Sequence, residues 1–342
     1  MYTTITEGKA KAIVSKGKIS KKLPVFYNPI MKFNRDISVL LLNCINKKDM
    51  QMALPLSGTG IRGIRLIKEL KKGKIKSISF NDNSENAFKL IKKNLKLNKI
   101  SKANVFNQDA NLFLLNSSGF DYIDIDPFGS PNHFLNNSIM RLSREGILAV
   151  TATDTAALTG TYTNACKRKY WAKPLKNELM HEFGLRILIR KIQLIGTQFD
   201  KALTPIFSYS KDHYFRIFFR CEKGKKKVDE IIKLHGYYEN SGPIWLGSLW
   251  DKKLVVLMGK NNKIEENKKI LKIIKEESKI DEVGFYDITK LAKRNKIKVL
   301  PKKNDLMNKI KKKKFKVSET HFRENSLRLN INKKEIIKLI KK

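Results

Sequence analysis

Between residues 50 and 152, short apolar runs rich in β-branched and aromatic residues alternate with stretches of helical spacing, and few folds accommodate that alternation. Residues 50–56 are an expected strand, followed by Ser57-Gly58-Thr59-Gly60-Ile61-Arg62-Gly63, a glycine-rich turn entering a helix that runs to about Lys71. A second strand is expected over 77–81, then a helix capped by Ser84 with Phe88, Ile91 and Leu95 on one face. Strands over 104–108, 120–125 and 146–152 are again separated by helical segments. Strands joined in this way pair in parallel, with helices on both faces of the sheet. A helix over 175–195 carries Leu179, Phe183 and Ile187 on one side. Two extended runs, 204–209 and 213–219, then flank Ser210-Lys211-Asp212 and read as an antiparallel hairpin.

Five parallel strands closed by a late antiparallel hairpin is the plan of the class I, Rossmann-like fold of S-adenosylmethionine-dependent methyltransferases. This α/β domain is expected over residues 1–222, with an N-terminal arm. The stretch Glu222-Lys-Gly-Lys-Lys-Lys reads as a linker to a second domain over 223–342. That part reads as α+β, with short helices near 287–295, 302–313 and 333–341. Strands near 315–318 and 327–330 are expected to form a wing.

Charge narrows the partners. The 342 residues include 71 Lys and Arg against 32 Asp and Glu, a formal net charge of +39. A charge of that size repels itself unless a polyanion neutralises it, and nucleic acid is the obvious one. Lysine, isoleucine and asparagine are abundant throughout, so part of the excess is solvated surface. From 223 onward the count is 34 basic to 15 acidic residues, net +19, against +20 over the first 222, so the second part is the denser. No apolar run reaches the ~18 residues a membrane-spanning helix needs. The N-terminus lacks the basic and apolar regions of a signal peptide. Cys44, Cys166 and Cys221 stand far apart without paired spacing, which argues against a disulfide framework or zinc ribbon and fits a reducing cytoplasm.

The chemistry is expected where the fourth strand stops. In Phe120-Asp-Tyr-Ile-Asp-Ile-Asp126-Pro127-Phe128-Gly129-Ser-Pro131, Pro127 cannot continue a central strand, so Asp126 sits at a carboxyl end. Open α/β sheets hold their ligands along that edge. An acid, a proline and a flat ring there suit chemistry on the exocyclic amino group of a base: the acid accepts an N–H while the ring stacks. Asp-Pro is also a common turn starter. Gly58-x-Gly60-x-x-Gly63 fits dinucleotide and S-adenosylmethionine sites alike. Asp82, ending the second strand, would hold a ribose in either case. Gln108-Asp109-Ala110, ending the third, puts an acid where a methyltransferase contacts adenine, although Asp109 also suits a helix N-cap.

With these residues in place, the sequence resembles the archaeal and eukaryotic tRNA (guanine-26-N2)-dimethyltransferases over nearly its whole length. The motifs that carry the likeness are Glu7-Gly-Lys-Ala-Lys, Phe26-Tyr-Asn-Pro-Ile-Met-Lys-Phe-Asn-Arg35-Asp36, the loop from Ser57 to Arg65, and Asp126-Pro-Phe-Gly-Ser-Pro. The loop from Thr151 to Tyr170 continues it. In the second domain Gly242-Pro-Ile-Trp245-Leu-Gly247 and Ser318-Glu-Thr-His321-Phe322 with Arg328 resemble the family's tRNA-side motifs. The resemblance implies transfer of two methyl groups, in turn, from S-adenosyl-L-methionine to the N2 amino group of one tRNA guanine, leaving S-adenosyl-L-homocysteine. It implies that Arg35 and Arg62 hold the methionine carboxylate, with Ser57 and Gly58 in the cofactor loop. Asp82 would bind the ribose, and Asp109 with the Ala110 backbone the adenine. Asp126 would accept the amino proton, Phe128 and Phe26 would stack on the base, and Trp245, His321 and Arg328 would contact tRNA. A tRNA partner and a cytoplasmic location are implied, and no membrane or obligate protein partner.

Three departures stand out. Leu54 occupies the place where family members usually carry an acid near the end of the first strand. The stretch around His235 lacks the zinc-binding cysteine pairs of many relatives, so no metal is expected. Glu319 replaces a residue that is often basic. Two other readings stay open at this point: an amino-methyltransferase for adenine or cytosine, and a non-catalytic RNA-binding protein with a relic methyltransferase fold.

Overall fold

A computed structural model of the chain describes residues 2–17 and 23–341. An N-terminal antiparallel hairpin, β1 (Tyr2–Glu7) and β2 (Ala10–Ser15), precedes helix α1 (Lys32–Cys44). The alternating region follows as β3 (Met50–Leu54), α2 (Ile61–Glu69), β4 (Ile75–Asn81), α3 (Glu85–Leu97), β5 (Asn104–Phe106) and α4 (Ala110–Leu115). It continues with β6 (Phe120–Ile125), α5 (Asn132–Arg141) and β7 (Leu142–Ala152). Helices α6 (Thr155–Leu158), α7 (Thr163–Tyr170) and the long α8 (Met180–Thr197) lead to β8 (Lys201–Lys211) and β9 (Tyr214–Lys223).

These strands form one seven-stranded sheet in the order β5-β4-β3-β6-β7-β9-β8. The pairs β4–β5, β3–β4, β3–β6 and β6–β7 are parallel, as the intervening helices require. β8 and β9 are joined by two residues, a connection that only antiparallel strands permit. The expected class I methyltransferase plan is therefore the observed one. The central strands are predominantly apolar because both faces are covered; Met52, Ala53, Ile123, Ile125, Leu148 and Val150 are all fully buried. Gly63 lets α2 approach the sheet: a Cβ there would meet Phe80 at 2.2 Å and Leu54 at 2.5 Å.

After β9 come α9 (Lys225–Lys233), the antiparallel pair β10 (His235–Tyr238) and β11 (Ser241–Trp245), then α10 (Lys252–Asn261) and α11 (Glu265–Glu277). The chain closes with β12 (Tyr286–Asp287), α12 (Ile288–Arg294), α13 (Lys303–Lys312), β13 (Val317–Glu319), β14 (Ser326–Leu329) and α14 (Lys333–Lys341). The last three strands make a sheet of order β12-β14-β13, so the expected two-stranded wing has a third member. Leu306, Ile310, Leu327, Leu329, Ile336 and Leu339 build a core against it.

Two expectations need correcting. The run taken for a linker at 222–227 ends β9 and starts α9, whose Val228 and Ile231 are buried; its lysines lie on a solvated helix face. Nor do the compact units follow a single cut at 222. One comprises Met1–Thr153, Ile192–Thr204 and Arg216–Ile231; the other Asp154–Lys191, Pro205–Phe215 and Ile232–Lys342. Helix α8 and the closing hairpin contribute to both, so chain order and compactness diverge. Among the described residues no helix is long and apolar enough to cross a membrane.

Candidate active site

Within the first unit a cavity of about 650 Å³ opens at the carboxyl ends of β3, β4 and β6. Its walls include Phe26, Arg35, Leu54, Ser57, Gly58, Arg62, Asp82, Asp126 and Phe128. Eight of these, all but Leu54, are expected site residues; they converge from six segments, and the topology explains why. Parallel strands deliver every βα loop to the same edge, so the acids that end β4 and β6 face one crevice.

Asp82 shapes the glycine-rich loop. Its carboxylate accepts from the Gly58 amide at 2.8 Å and from the Ser84 amide at 3.0 Å. Gly58 lies at φ +53, which suits glycine, and a Cβ there would come within 3.4 Å of the Phe26 carbonyl. The loop therefore presents bare backbone to the cavity. Asp109 caps α4, accepting from Asn111 and Leu112 amides at 2.8 and 3.2 Å. Neither Asp109 nor Ala110 is among the described residues that line the cavity.

Asp126 directly follows β6, and Tyr122, Asp124 and Asp126 alternate onto one face. Arg62 donates to Asp126 and, through its other nitrogen, to Asn34 at 2.8 Å and Ser38 at 3.0 Å. Asp124 is buried and held bidentately by Arg216, at 2.9 and 2.7 Å, with Arg62 3.5 Å away and the Tyr122 hydroxyl donating to it. Burial raises the Asp124 carboxyl's pKa, but Arg216 and Arg62 outweigh it and hold it below the usual carboxylate range. Two carboxylates and two guanidiniums thus form one charge cluster at the cavity, with Arg62, Asp124 and Asp126 in its lining and Arg216 behind them. Asp126 is the accessible member, its side chain 22% exposed.

The turn after Asp126 is pinned to the end of β7 by a reciprocal pair. Gly129 donates to the Thr153 hydroxyl at 2.7 Å, and Thr153 donates to the Gly129 carbonyl at 2.9 Å. Gly129, at φ +76, lets the chain reverse there. Phe128 projects from this turn, 47% exposed, and meets Phe26 edge to face with ring centroids 4.4 Å apart. Rings that close leave no room for a base between them, so they must part to admit one.

Arg35 pairs with Glu7, donating to both carboxylate oxygens at 2.7 and 2.5 Å, while Arg65 donates to Glu7 at 2.8 Å. Burial raises the Glu7 carboxyl, but these two guanidiniums outweigh it and bring it down to about 2. The pairing locks the N-terminal hairpin to α1 and α2. Asp36, the next residue, forms ion pairs with Lys32 at 2.8 Å and Arg65 at 2.6 Å. Leu54, where an acid was expected, is buried and packs beneath Gly63.

The three second-domain residues expected at tRNA are not surface groups. Arg328 is fully buried, bonded to Glu182 at 2.7 and 3.2 Å and to Glu277 at 3.0 Å. His321 Nδ1 lies 2.6 Å from Glu277, and Trp245 is buried with its indole N–H on the Ser248 carbonyl at 2.9 Å. Such residues hold the unit together and present no face to a phosphate, which corrects that expectation. Glu319, by contrast, pairs with Lys303 at 2.5 Å near the surface. Sequence reasoning also missed Asp124 and Arg216, and named Glu7 only within a motif, without its pairing to Arg35 and Arg65. Asp124 and Arg216 each interrupt an apolar run of their strand and Glu7 ends a short hairpin strand, and a buried charge demands a partner.

The family model for N2,N2-dimethylguanosine tRNA methyltransferase matches residues 5–241 and 232–341. A protein of Aquifex aeolicus described as a tRNA (guanine(26)-N(2)/guanine(27)-N(2))-dimethyltransferase is 39% identical over 377 aligned positions, covering 98% of this chain and 94% of its own. A tRNA (guanine(26)-N(2))-dimethyltransferase of Methanocaldococcus jannaschii is 39% identical, covering 94% of each. Among solved structures, Trm1 from Pyrococcus horikoshii in complex with S-adenosyl-L-methionine superposes with a TM-score of 0.89 at 34% identity, covering 99% of this chain and all of that one.

Proposed function

Since this chain belongs to the N2,N2-dimethylguanosine tRNA methyltransferase family, we infer that the cavity transfers methyl groups from S-adenosyl-L-methionine to the N2 amino group of guanine 26 in tRNA. The observation that carries the reading is the meeting, at one crevice, of an accessible strand-ending acid, two aromatic rings and a carboxylate-braced glycine loop. An amino nitrogen needs those groups, and a hydride transfer needs neither the acid nor the rings.

The residues present fit the cofactor. Gly58 leaves open backbone where a side chain would intrude, and Asp82 offers a carboxylate to a ribose diol. Asp109 and Ala110 follow β5, beside β4 on the same sheet edge, where they would meet the adenine. Arg35 and Arg62 line the wall where the methionine carboxylate would lie, while staying bonded to Glu7 and Asp126. When bound, S-adenosyl-L-methionine supplies an electrophilic methyl group on a sulfonium.

The chain's own residues do the rest. Guanine must leave its stack, and Phe26 and Phe128 part to hold it by its faces. Asp126, fixed by Arg62, accepts one amino N–H and so turns the nitrogen lone pair out of conjugation with the ring. As the nitrogen becomes cationic, the carboxylate's attraction grows, which favours the transition state over the ground state. Asp126 then takes the proton, directly or through water. The second methylation uses the same acceptor. Part of the second unit's positive surface, including exposed residues 311–314, contacts phosphate. The cytoplasm is the proposed compartment, supported by three free cysteines.

The test uses unmodified tRNA transcripts carrying guanine or adenine at position 26, followed by mass spectrometry of the nucleosides. N2,N2-dimethylguanosine from the first and none from the second is expected. Methylated adenosine or cytidine, or dimethylguanosine from both transcripts, would overturn the assignment.

A further inference from the structure

We propose that Trp171 is a stacking platform for a nucleobase of the bound tRNA, set in a basic surface of the second unit that holds the flanking phosphates. The proposal rests on tRNA being the substrate and adds a contact outside the catalytic cavity. Trp171 caps the end of α7 in the left-handed region, at φ 55 and ψ 39, and is 50% exposed. Bulky L residues rarely adopt that conformation, and glycine or asparagine would relax it. Strain of this kind persists where surroundings enforce it, and it clusters at ligand-binding positions.

The surroundings here are specific. The Trp171 amide donates to the Lys167 carbonyl at 3.1 Å, and Arg190 donates to the Trp171 carbonyl at 3.4 Å. The Lys191 ammonium lies over the indole, 2.9 Å from the ring centroid. One face of the ring is therefore backed by a cation, and the exposed remainder is what a base would cover. Lys173 exchanges two backbone hydrogen bonds with Gly242, at 2.8 and 2.9 Å. Tyr237, 73% exposed, stands beside Gly242, its ring edge 3.2 Å from where a Cβ would project.

Residues 167–176 carry five basic side chains and no acid. An exposed ring backed by a cation, in a stretch rich in basic side chains, is an arrangement that binds unstacked nucleic acid through base stacking plus phosphate attraction. A protein partner would require a broader apolar surface or acids to match the lysines, and the local charge selects a polyanion.

Of the three tryptophans, Trp245 and Trp250 are only 3% and 5% exposed, so tRNA-dependent quenching of intrinsic fluorescence reports on Trp171. Wild-type protein should show quenching that saturates in step with tRNA binding, and Trp171→Phe should abolish that signal. Trp171→Asn, which suits the backbone, should bind tRNA roughly five- to a hundredfold more weakly, the range that loss of one stacked base gives. Its salt slope and its affinity for S-adenosyl-L-methionine should stay as in wild type, confirming a folded protein. Wild-type protein that methylates tRNA with unchanged emission, or Trp171→Asn with unchanged affinity, would sink the proposal while leaving the catalytic reading standing. Absence of methyl transfer by wild type would instead strike that reading.

Discussion

Replacing Arg216 by methionine tests the charge cluster at the cavity. Arg216 is fully buried and donates twice to Asp124, which is itself only 2% exposed. Methionine fills similar volume but removes the cation, leaving a buried carboxylate with only the Tyr122 hydroxyl and Arg62, 3.5 Å away. Breaking a buried ion pair from one side costs about 3–5 kcal/mol. The residual Arg62 interaction places this case near the low end, at about 3 kcal/mol. For a chain of this size each kcal/mol shifts Tm by roughly 2–4 °C, so a fall of about 6–12 °C is expected. Arg62 is also drawn toward Asp124 and away from Asp126, so methyl transfer should slow at temperatures where the variant stays folded. The double variant Asp124→Asn with Arg216→Met removes both charges and should recover at least half of the lost Tm. Thermal unfolding followed by circular dichroism reads both effects. A single variant melting within 2 °C of wild type, or a double variant no better than the single, would refute the reasoning.

Asp82→Ala should weaken S-adenosyl-L-methionine binding more than tenfold by calorimetry, since each hydrogen bond to a charged group contributes about 1.5–3 kcal/mol; unaltered affinity would move the ribose contact elsewhere. Changing the four lysines at 311–314 to glutamine should weaken tRNA binding and flatten its dependence on salt, because fewer condensed counterions are released. An unchanged slope removes that run from the interface. Glu7 and Glu277 are both brought down to about 2 from an ordinary value of 4.5. Burial opposes their charge, but Arg35 and Arg65 outweigh it at Glu7, as His321 and Arg328 do at Glu277. Their folded pKa lies below the unfolded one, so the unfolded chain binds more protons in that window. The stability they contribute is complete above pH 4.5 and is lost as the pH falls toward 2. The urea midpoint should be clearly lower at pH 3 than at pH 7, and an unchanged midpoint would contradict the pairing.

What could be read from sequence depended on whether its cause was local. The strand Phe120–Ile125 agrees to the residue because an apolar run meets Pro127, and Ser84 does cap Glu85–Leu97. Where the stop is soft the ends moved: β7 begins at Leu142 rather than 146, and α8 at Met180 rather than 175. The helix at Lys225–Lys233 went unseen because its charge run obscured Val228 and Ile231 at three-residue spacing. Asp124 and Arg216 lie 92 positions apart, and no local pattern joins them. Each nevertheless interrupts an apolar strand, and that interruption was the available signal. Trp245, His321 and Arg328 mark the limit of motif likeness. A residue that serves a buried Glu182–Arg328–Glu277 network looks the same in sequence as one that serves a ligand.

The central claim is that Asp126 accepts the amino proton while Phe26 and Phe128 hold the guanine. Single-turnover methyl transfer to a guanine-26 transcript by Asp126→Asn tests it most directly, because the substitution keeps size and shape but removes charge and basicity. The first and second methylations should both slow by ~10²–10⁴-fold, the usual contribution of a positioned acid–base group. S-adenosyl-L-methionine and tRNA affinities should remain close to wild type. Near-normal transfer by Asp126→Asn would reduce the carboxylate to a turn-former and contradict the account.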